Sequence, residues 1–239
     1  MTPRVLVVEH DTHCPPALFG TWLTDAGAEV DVCRPYAGDR LPAVGEHEAV
    51  VVLGGPMDAG DDGHAWLEPT RALIRAAADQ QVPTLGICLG HQLCALAFGG
   101  SVGRNPLGQQ VGTKEVGWTA AAADDELMGG LATDARGVHW NDDLVLELPE
   151  GAVVLAGTPR DELQAVRYAP TVWGVQWHPE VDVEVIRVWA QEDAERHLEH
   201  GIDQERVLAD IGRAQPELDA TWRPLAEGLV RAATRQTPA

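Results

Sequence analysis

Apolar residues in this chain fall into short unbroken runs, separated by stretches in which they recur every three or four positions. The runs are Arg4 to Glu9, Glu29 to Cys33, Ala49 to Leu53 and Val82 to Ile87. Apolar on both faces, they suit strands buried from both sides in a parallel sheet. Between them, Ala17 to Ala26 and Trp66 to Ala78 carry helical spacing, the first closed by Gly27 and the second packing Leu67, Leu73, Ile74 and Ala77. Gln92 to Phe98 repeats that spacing up to Gly99-Gly100, and Leu89, Leu93, Leu96 and Ala97 form its apolar stripe. Strand alternating with helix predicts an α/β fold, a flavodoxin-like doubly wound and mostly parallel sheet. Ligands gather at the carboxyl ends of the strands in such folds.

After Gly100 the pattern changes. Ser101 to Trp118 reads as short strands broken by Gly and Pro, a small antiparallel extension. Asp124 to Leu131 reads as a short helix, and His139-Trp140-Asn141-Asp142-Asp143 as a polar structural turn. Val153 to Gly157, Gln164 to Tyr168 and Val172 to Trp177 are three further strands. Asp182 to His200 is predicted as one helix stopped by Gly201, and 203–235 as further helices packing Leu208, Ile211, Leu218, Trp222, Leu225 and Leu229. The whole is expected to form one domain over 1–239, with a core at about 4–190 and a helical C-terminal tail at about 191–239. That tail is either a packing layer or a docking surface.

Charge narrows the choice of partners. The 239 residues carry a formal net charge of −20, and Lys114 is the one lysine. Nucleic acid is therefore not an expected partner, because like charges repel and no basic cluster relieves them. No apolar run approaches the roughly 20 residues of a membrane span, and the first strand begins without a basic and apolar leader, so no membrane association is expected. Cys14, Cys33, Cys88 and Cys94 show no pairing pattern, which points to a reducing compartment, the cytoplasm. Cys33 and Cys94 read as small core residues. His10, Asp11, His13 and Cys14 form a polar loop at the carboxyl end of the first strand, placed near any site there. No metal is expected, since a second ligand group at tetrahedral spacing does not follow.

The candidate chemistry centres on Gly86-Ile87-Cys88-Leu89-Gly90, which lies where a strand passes into a helix. Glycines two residues to either side let neighbouring backbone come close and allow the central residue a strained conformation, as in a nucleophile elbow. The helix start directs free N–H groups and a positive dipole end at the sulfur. A buried cysteine in a tight turn is the alternative reading of this run alone. Downstream, the last strand ends in His178-Pro179-Glu180. Pro179 stops pairing, and the two-residue step lets His178 and Glu180 face one way, as a base and the carboxylate that orients it.

Gly86-Ile-Cys-Leu-Gly-His-Gln92, His178-Pro-Glu180 and the upstream Gly54-Gly55-Pro56 together resemble the signature elements of the class I (triad) glutamine amidotransferases, in residue identity, order and spacing. The resemblance runs from about Val5 to Trp177 and beyond. Within the family it is strongest to stand-alone proteins similar to the amidotransferase domain of GMP synthase, where Glu115-Val116-Gly117-Trp118 and His139-Trp140 have comparable segments. Relatives often carry a second histidine at the position of Asn141.

The resemblance implies Cys88, His178 and Glu180 as the catalytic triad. It also implies backbone N–H groups of Gly55 and Leu89 as the oxyanion hole and Gln92 as a residue that helps hold substrate; by itself, Gln92 reads equally as a loop-capping amide. The acidic loop Met57 to Gly63 is placed to cover the pocket. The implied activity is hydrolysis of the glutamine side-chain amide through a cysteine thioester, without metal or organic cofactor, with ammonia supplied to a separate synthase. A γ-glutamyl peptidase or amidase using the same triad, or a non-catalytic binding protein retaining the fold, are the alternatives.

Overall fold

The computed structural model describes residues 2–160 and 162–236. In chain order the elements are β1 (Arg4–Val8), α1 (Ala17–Asp25), β2 (Glu29–Cys33), β3 (Ala49–Val52), α2 (Leu67–Asp79), β4 (Thr84–Ile87), α3 (Leu89–Ala97), β5 (Ser101–Arg104) and β6 (Gln110–Glu115). They continue as α4 (Ala120–Ala123), β7 (Arg136–Asn141), β8 (Asp143–Glu147), β9 (Val153–Gly157), β10 (Leu163–Ala169), β11 (Val172–Val175), α5 (Val183–Glu192), α6 (Ala194–Glu199) and α7 (Gln204–Gln236).

Seven strands form the central sheet in the order β2-β1-β3-β4-β11-β10-β9. The five from β2 to β11 run parallel, while β10 and β9 add antiparallel to that edge. Successive residues of β1 split between two cores: Val5 and Val7 pack with α1, α5 and α7, whereas Leu6 and Val8 pack with α2 and α3. The doubly wound fold thus follows from strands apolar on both faces, each face covered by helices. The antiparallel extension expected after Gly100 forms as two small ladders, β5 with β8 and β6 with β7.

Several boundaries differ from the sequence reading. The predicted helix at Asp124 to Leu131 is absent; four alanines just before it form α4. Asp125 breaks the helix there, because its carboxylate accepts the N–H groups of Leu127 and Met128 at 3.0 Å each and draws the chain into a turn. The polar segment expected to be a turn is largely strand: His139, Trp140 and Asn141 end β7, and Asp143 opens β8. The helix predicted over Asp182 to His200 is two helices joined at Asp193, whose carboxylate is engaged by the indole N–H of Trp140 at 2.8 Å and by Arg196 at 2.9 Å.

The tail is one helix of 33 residues that continues through Pro216 and Pro224. An interior proline costs a helix about 3 kcal/mol. Here Ile211, Leu218, Trp222, Leu225 and Leu229 are all buried against the body of the protein, and that burial outweighs the cost. Helix α7 packs on α1, α5 and the β6–β7 ladder, so it is a packing layer. No helix among the described residues is long and apolar enough to cross a membrane.

Candidate active site

The turn after β4 holds Cys88 at φ 52° and ψ −105°, a positive-φ conformation in which a side chain is strained. Its neighbours make that geometry possible. A Cβ on Gly86 would stand 2.4 Å from the carbonyl oxygen of Gly90, and one on Gly90 would stand 2.0 Å from that of Val52. Both glycines are required by close backbone approach, since neither has a positive φ. The helix begins at Leu89, three residues earlier than its apolar spacing indicated, so Cys88 is its N-cap. Except for the half-buried Leu96, every side chain of α3 is buried.

His178 and Glu180 follow β11, the strand that pairs in parallel beside β4. The N–H of His178 donates to Val138 O at 2.7 Å, which ties the end of the β11 segment to β7. His178 Nδ1 lies 2.6 Å from Glu180 Oε1, leaving Nε2 for the opposite side. Trp189 of α5 packs edge-on against the imidazole with ring centroids 4.7 Å apart. Glu180 is fixed in turn by its own carbonyl, which accepts the N–H of Leu18 at 2.9 Å from the start of α1.

Gly54 is where the two halves meet. A Cβ there would lie 2.9 Å from His178 Cε1 and 3.6 Å from Cys88 Cβ, so the imidazole and the thiol flank the same glycine. Gly55 is equally hemmed in: a Cβ added to it would lie 2.7 Å from Met57 Sδ and 3.1 Å from His10 Cβ. Among the described residues, no group accepts a hydrogen bond from the N–H of Gly55 or of Leu89. Gln92 Nε2 donates to the main-chain oxygen of Asp143 at 3.0 Å and to Gln176 Oε1 at 3.4 Å.

These groups open on a cleft of about 270 Å³, lined among others by Cys88, His178, Gly55 and Gln92. As expected, the loop after β1 contributes to it through Asp11, His13 and Cys14, and Met57 and Asp58 reach it from the acidic loop. The sequence reading missed the far wall. Trp140, Asn141, Asp142 and Asp143 line the cleft together with Arg104, Gln109, Trp189 and Arg196, where only a structural turn was expected from the first four. Their placement depends on β7 pairing with β6 and β8 with β5, long-range events without a local signal. Among the described residues, no group of three or more His, Cys, Asp or Glu side chains is placed to hold a metal ion.

Burial and charge act oppositely on the buried imidazoles. Desolvation is the largest influence on His178 and disfavours its charged form, but Glu180 and then Cys88 outweigh it, raising its pKa to about 10. His10 and His91 have no such partners, and burial lowers them to about 4 and about 3. His139 is lowered to about 3 by burial, then by Lys114 and His178. Burial, followed by Asp11 and Cys88, raises the Cys14 thiol above the ordinary range. An imidazolium held beside a cysteine sulfur, with unengaged main-chain donors across the cleft, is an arrangement suited to acyl transfer.

Comparison with known proteins agrees with this geometry. Residues 22–187 match the model of the family described as glutamine amidotransferase class-I. The chain is 33% identical over 189 residues to the glutamine-hydrolyzing GMP synthase of Aeropyrum pernix, covering 78% of this chain but only 30% of that protein's length. It is 26% identical over 194 residues to gamma-glutamyl peptidase 5 of Arabidopsis thaliana, covering 80% of this chain and 76% of the relative. The crystal structure of a glutamine amidotransferase from Thermotoga maritima has the same fold, with a TM-score of 0.86 at 24% identity over 96% of this chain and 99% of that one. With the family model covering most of its length and the signature cysteine and histidine facing one another across Gly54, this chain belongs to the class-I glutamine amidotransferase family.

Proposed function

We propose that the protein hydrolyses the side-chain amide of glutamine and supplies the ammonia to a separate acceptor enzyme, working in the reducing cytoplasm. The observation that carries this reading is the strained Cys88 beside an imidazole that Glu180 holds at 2.6 Å. Cys88 attacks the amide carbon, forming a C–S bond, and the oxyanion is received by the N–H groups of Gly55 and Leu89. A donor of that kind is worth about 3 kcal/mol to the transition state. As the C–N bond breaks, His178 gives its proton to the departing ammonia. It then takes a proton from the water that attacks the γ-glutamyl thioester, releasing glutamate and freeing the sulfur. Glu180 keeps the ring in its working orientation, and Gln92 helps seat the substrate. As written, the reaction needs neither a metal nor an organic cofactor.

A second reading keeps the triad and changes the leaving group. Likeness to a γ-glutamyl peptidase over most of both chains favours it. Steady-state turnover of glutamine, compared with that of γ-glutamyl dipeptides and measured with and without candidate acceptor enzymes, separates the two. Amidotransferase function requires ammonia release from glutamine that a partner accelerates. Faster turnover of dipeptides, indifferent to partners, establishes the peptidase. A glutamine-mimicking chloroketone should label Cys88 stoichiometrically; a Cys88→Ala protein with undiminished turnover would defeat both readings.

A further inference from the structure

Gln176 has no part in the hydrolysis as written above, yet its side chain is fully buried at 0% exposure beside the reacting sulfur. Its position follows from the sheet. Strand β11 runs parallel to β4 with Val175 opposite Ile87, so the next pair in register is Gln176 and Cys88. The main chain holds this register: the N–H of Cys88 donates to Val175 O, and that of Gln176 to Gln164 O, each at 2.8 Å. The chain then bends at Gln176-Trp177 and brings His178 against Gly54, the glycine that Cys88 also flanks. The Gln176 carboxamide places Nε2 3.6 Å from Cys88 Sγ.

Which end of that amide meets the sulfur is decided one residue away. Gln92 bonds the main-chain oxygen of Asp143 at 3.0 Å, and a carbonyl can only accept, so Gln92 must present its NH₂ group there. The same NH₂ group faces Gln176 at 3.4 Å, which obliges Gln176 to offer its oxygen. The NH₂ group of Gln176 is thereby turned toward Cys88.

We propose that Gln176 is a further catalytic residue of this site, donating an N–H hydrogen bond to the Cys88 sulfur that favours the thiolate, with Gln92 locking the orientation of the donor. The proposal rests on the reading of Cys88 as nucleophile. A hydrogen bond to the charged form of an acid stabilises that form. The other titratable groups facing the sulfur are His178, with Glu180 behind it, from the segment after β11 and Cys14 from the loop after β1. The amino-terminal end of α3 supplies a partial positive charge. Gln176 adds a neutral donor, 3.6 Å from the sulfur, to these charges.

The test is the pH dependence of Cys88 alkylation by iodoacetamide in the full chain, followed on the Cys88 peptide by mass spectrometry and compared among wild type, Gln176→Leu and Gln92→Leu. Thermal melts establish that each variant is folded. A hydrogen bond to a charged group is worth about 1.5 kcal/mol or more, so the midpoint for Gln176→Leu should rise by about one pH unit. That for Gln92→Leu should rise by less, since the released amide still samples the donating orientation. A Gln176→Leu profile that superposes on wild type overturns the proposal. Should that variant not fold, an unchanged Gln92→Leu midpoint overturns it and a raised one supports it. Glutamine turnover by wild type with unshifted variants removes only the part of Gln176, whereas wild type with neither turnover nor Cys88 alkylation removes the nucleophile reading as well.

Discussion

His178 Nδ1 and Glu180 Oε1 are 2.6 Å apart, and the two side chains are 3% and 2% exposed. In so dry a setting an imidazole ordinarily loses its charge, as His10 and His91 do. The carboxylate reverses that outcome, and His178 carries its proton to about pH 10. The pair is therefore both the tuning element of the site and a point of stability.

Substitution Glu180→Gln removes the charge while preserving the shape. Burial then prevails, and the pKa of His178 should fall below its ordinary value, as read from the imidazole Cε1–H resonance during an NMR titration. By analogy with the loss of an orienting carboxylate elsewhere, kcat for glutamine should drop by about 10³-fold or more with KM little changed. A kcat within a factor of a few of wild type would mean that Glu180 does not orient the base.

The raised pKa also sets a stability window. His178 titrates higher when folded than its unfolded value near 6.5, so the pair contributes fully below about pH 6.5 and the contribution disappears as pH rises through about 10. The difference in unfolding free energy between wild type and His178→Gln, measured by urea denaturation, should shrink steadily between pH 7 and pH 10. A difference that grows over that range contradicts the ion pair.

The elbow glycines separate folding from function. Gly86→Ala and Gly90→Ala place a Cβ inside backbone contact distance, at 2.4 and 2.0 Å, and should yield insoluble or strongly destabilised protein. Gly54→Ala meets a side chain, the His178 imidazole at 2.9 Å, rather than backbone, so it should fold but displace His178 and lose activity. Gly60→Ala, with nothing within 4 Å of its Cβ, serves as the tolerated control. Melting temperature and turnover measured on the four proteins check all of these.

Trp222 links the tail to the site. Its ring lies 5.0 Å from that of Trp177, the residue before His178, and its indole N–H donates to Arg136 O at 2.9 Å. Trp222→Ala should cost about 3–5 kcal/mol by calorimetry or denaturant unfolding. Turnover should fall as well, because the support behind Trp177 is lost. Unaltered stability would mean that α7 is dispensable to the core.

Asp125 gives a case of stability without catalysis. Its carboxylate accepts from Leu127 N, Met128 N and Trp173 Nε1, each at 3.0 Å, and does not line the cleft. Asp125→Ala leaves those donors unpaired in the interior, and unfolding free energy should decrease by about 2–4 kcal/mol with kcat for glutamine unchanged. A reduced kcat in protein that is still folded would place Asp125 in the machinery.

The features legible from the residues alone are local ones. Two-sided apolar runs specify buried parallel strands, and the glycines around Cys88 specify a turn that tolerates a positive φ, because both signals depend on residues within a few positions of one another. The same holds for His178 and Glu180, whose two-residue spacing already turns both to one face. Whatever needed partners from afar was left to the tertiary structure. Asp193 split a predicted helix by reaching Trp140, and burial of α7 carried a helix through two prolines that locally argue for a break. Likewise, strand pairing brought the segment at Asn141 to the cleft wall and set Gln176 opposite Cys88. Side chains 88 positions apart meet only once β4 and β11 lie side by side, and that adjacency follows from packing of the whole sheet rather than from either strand alone.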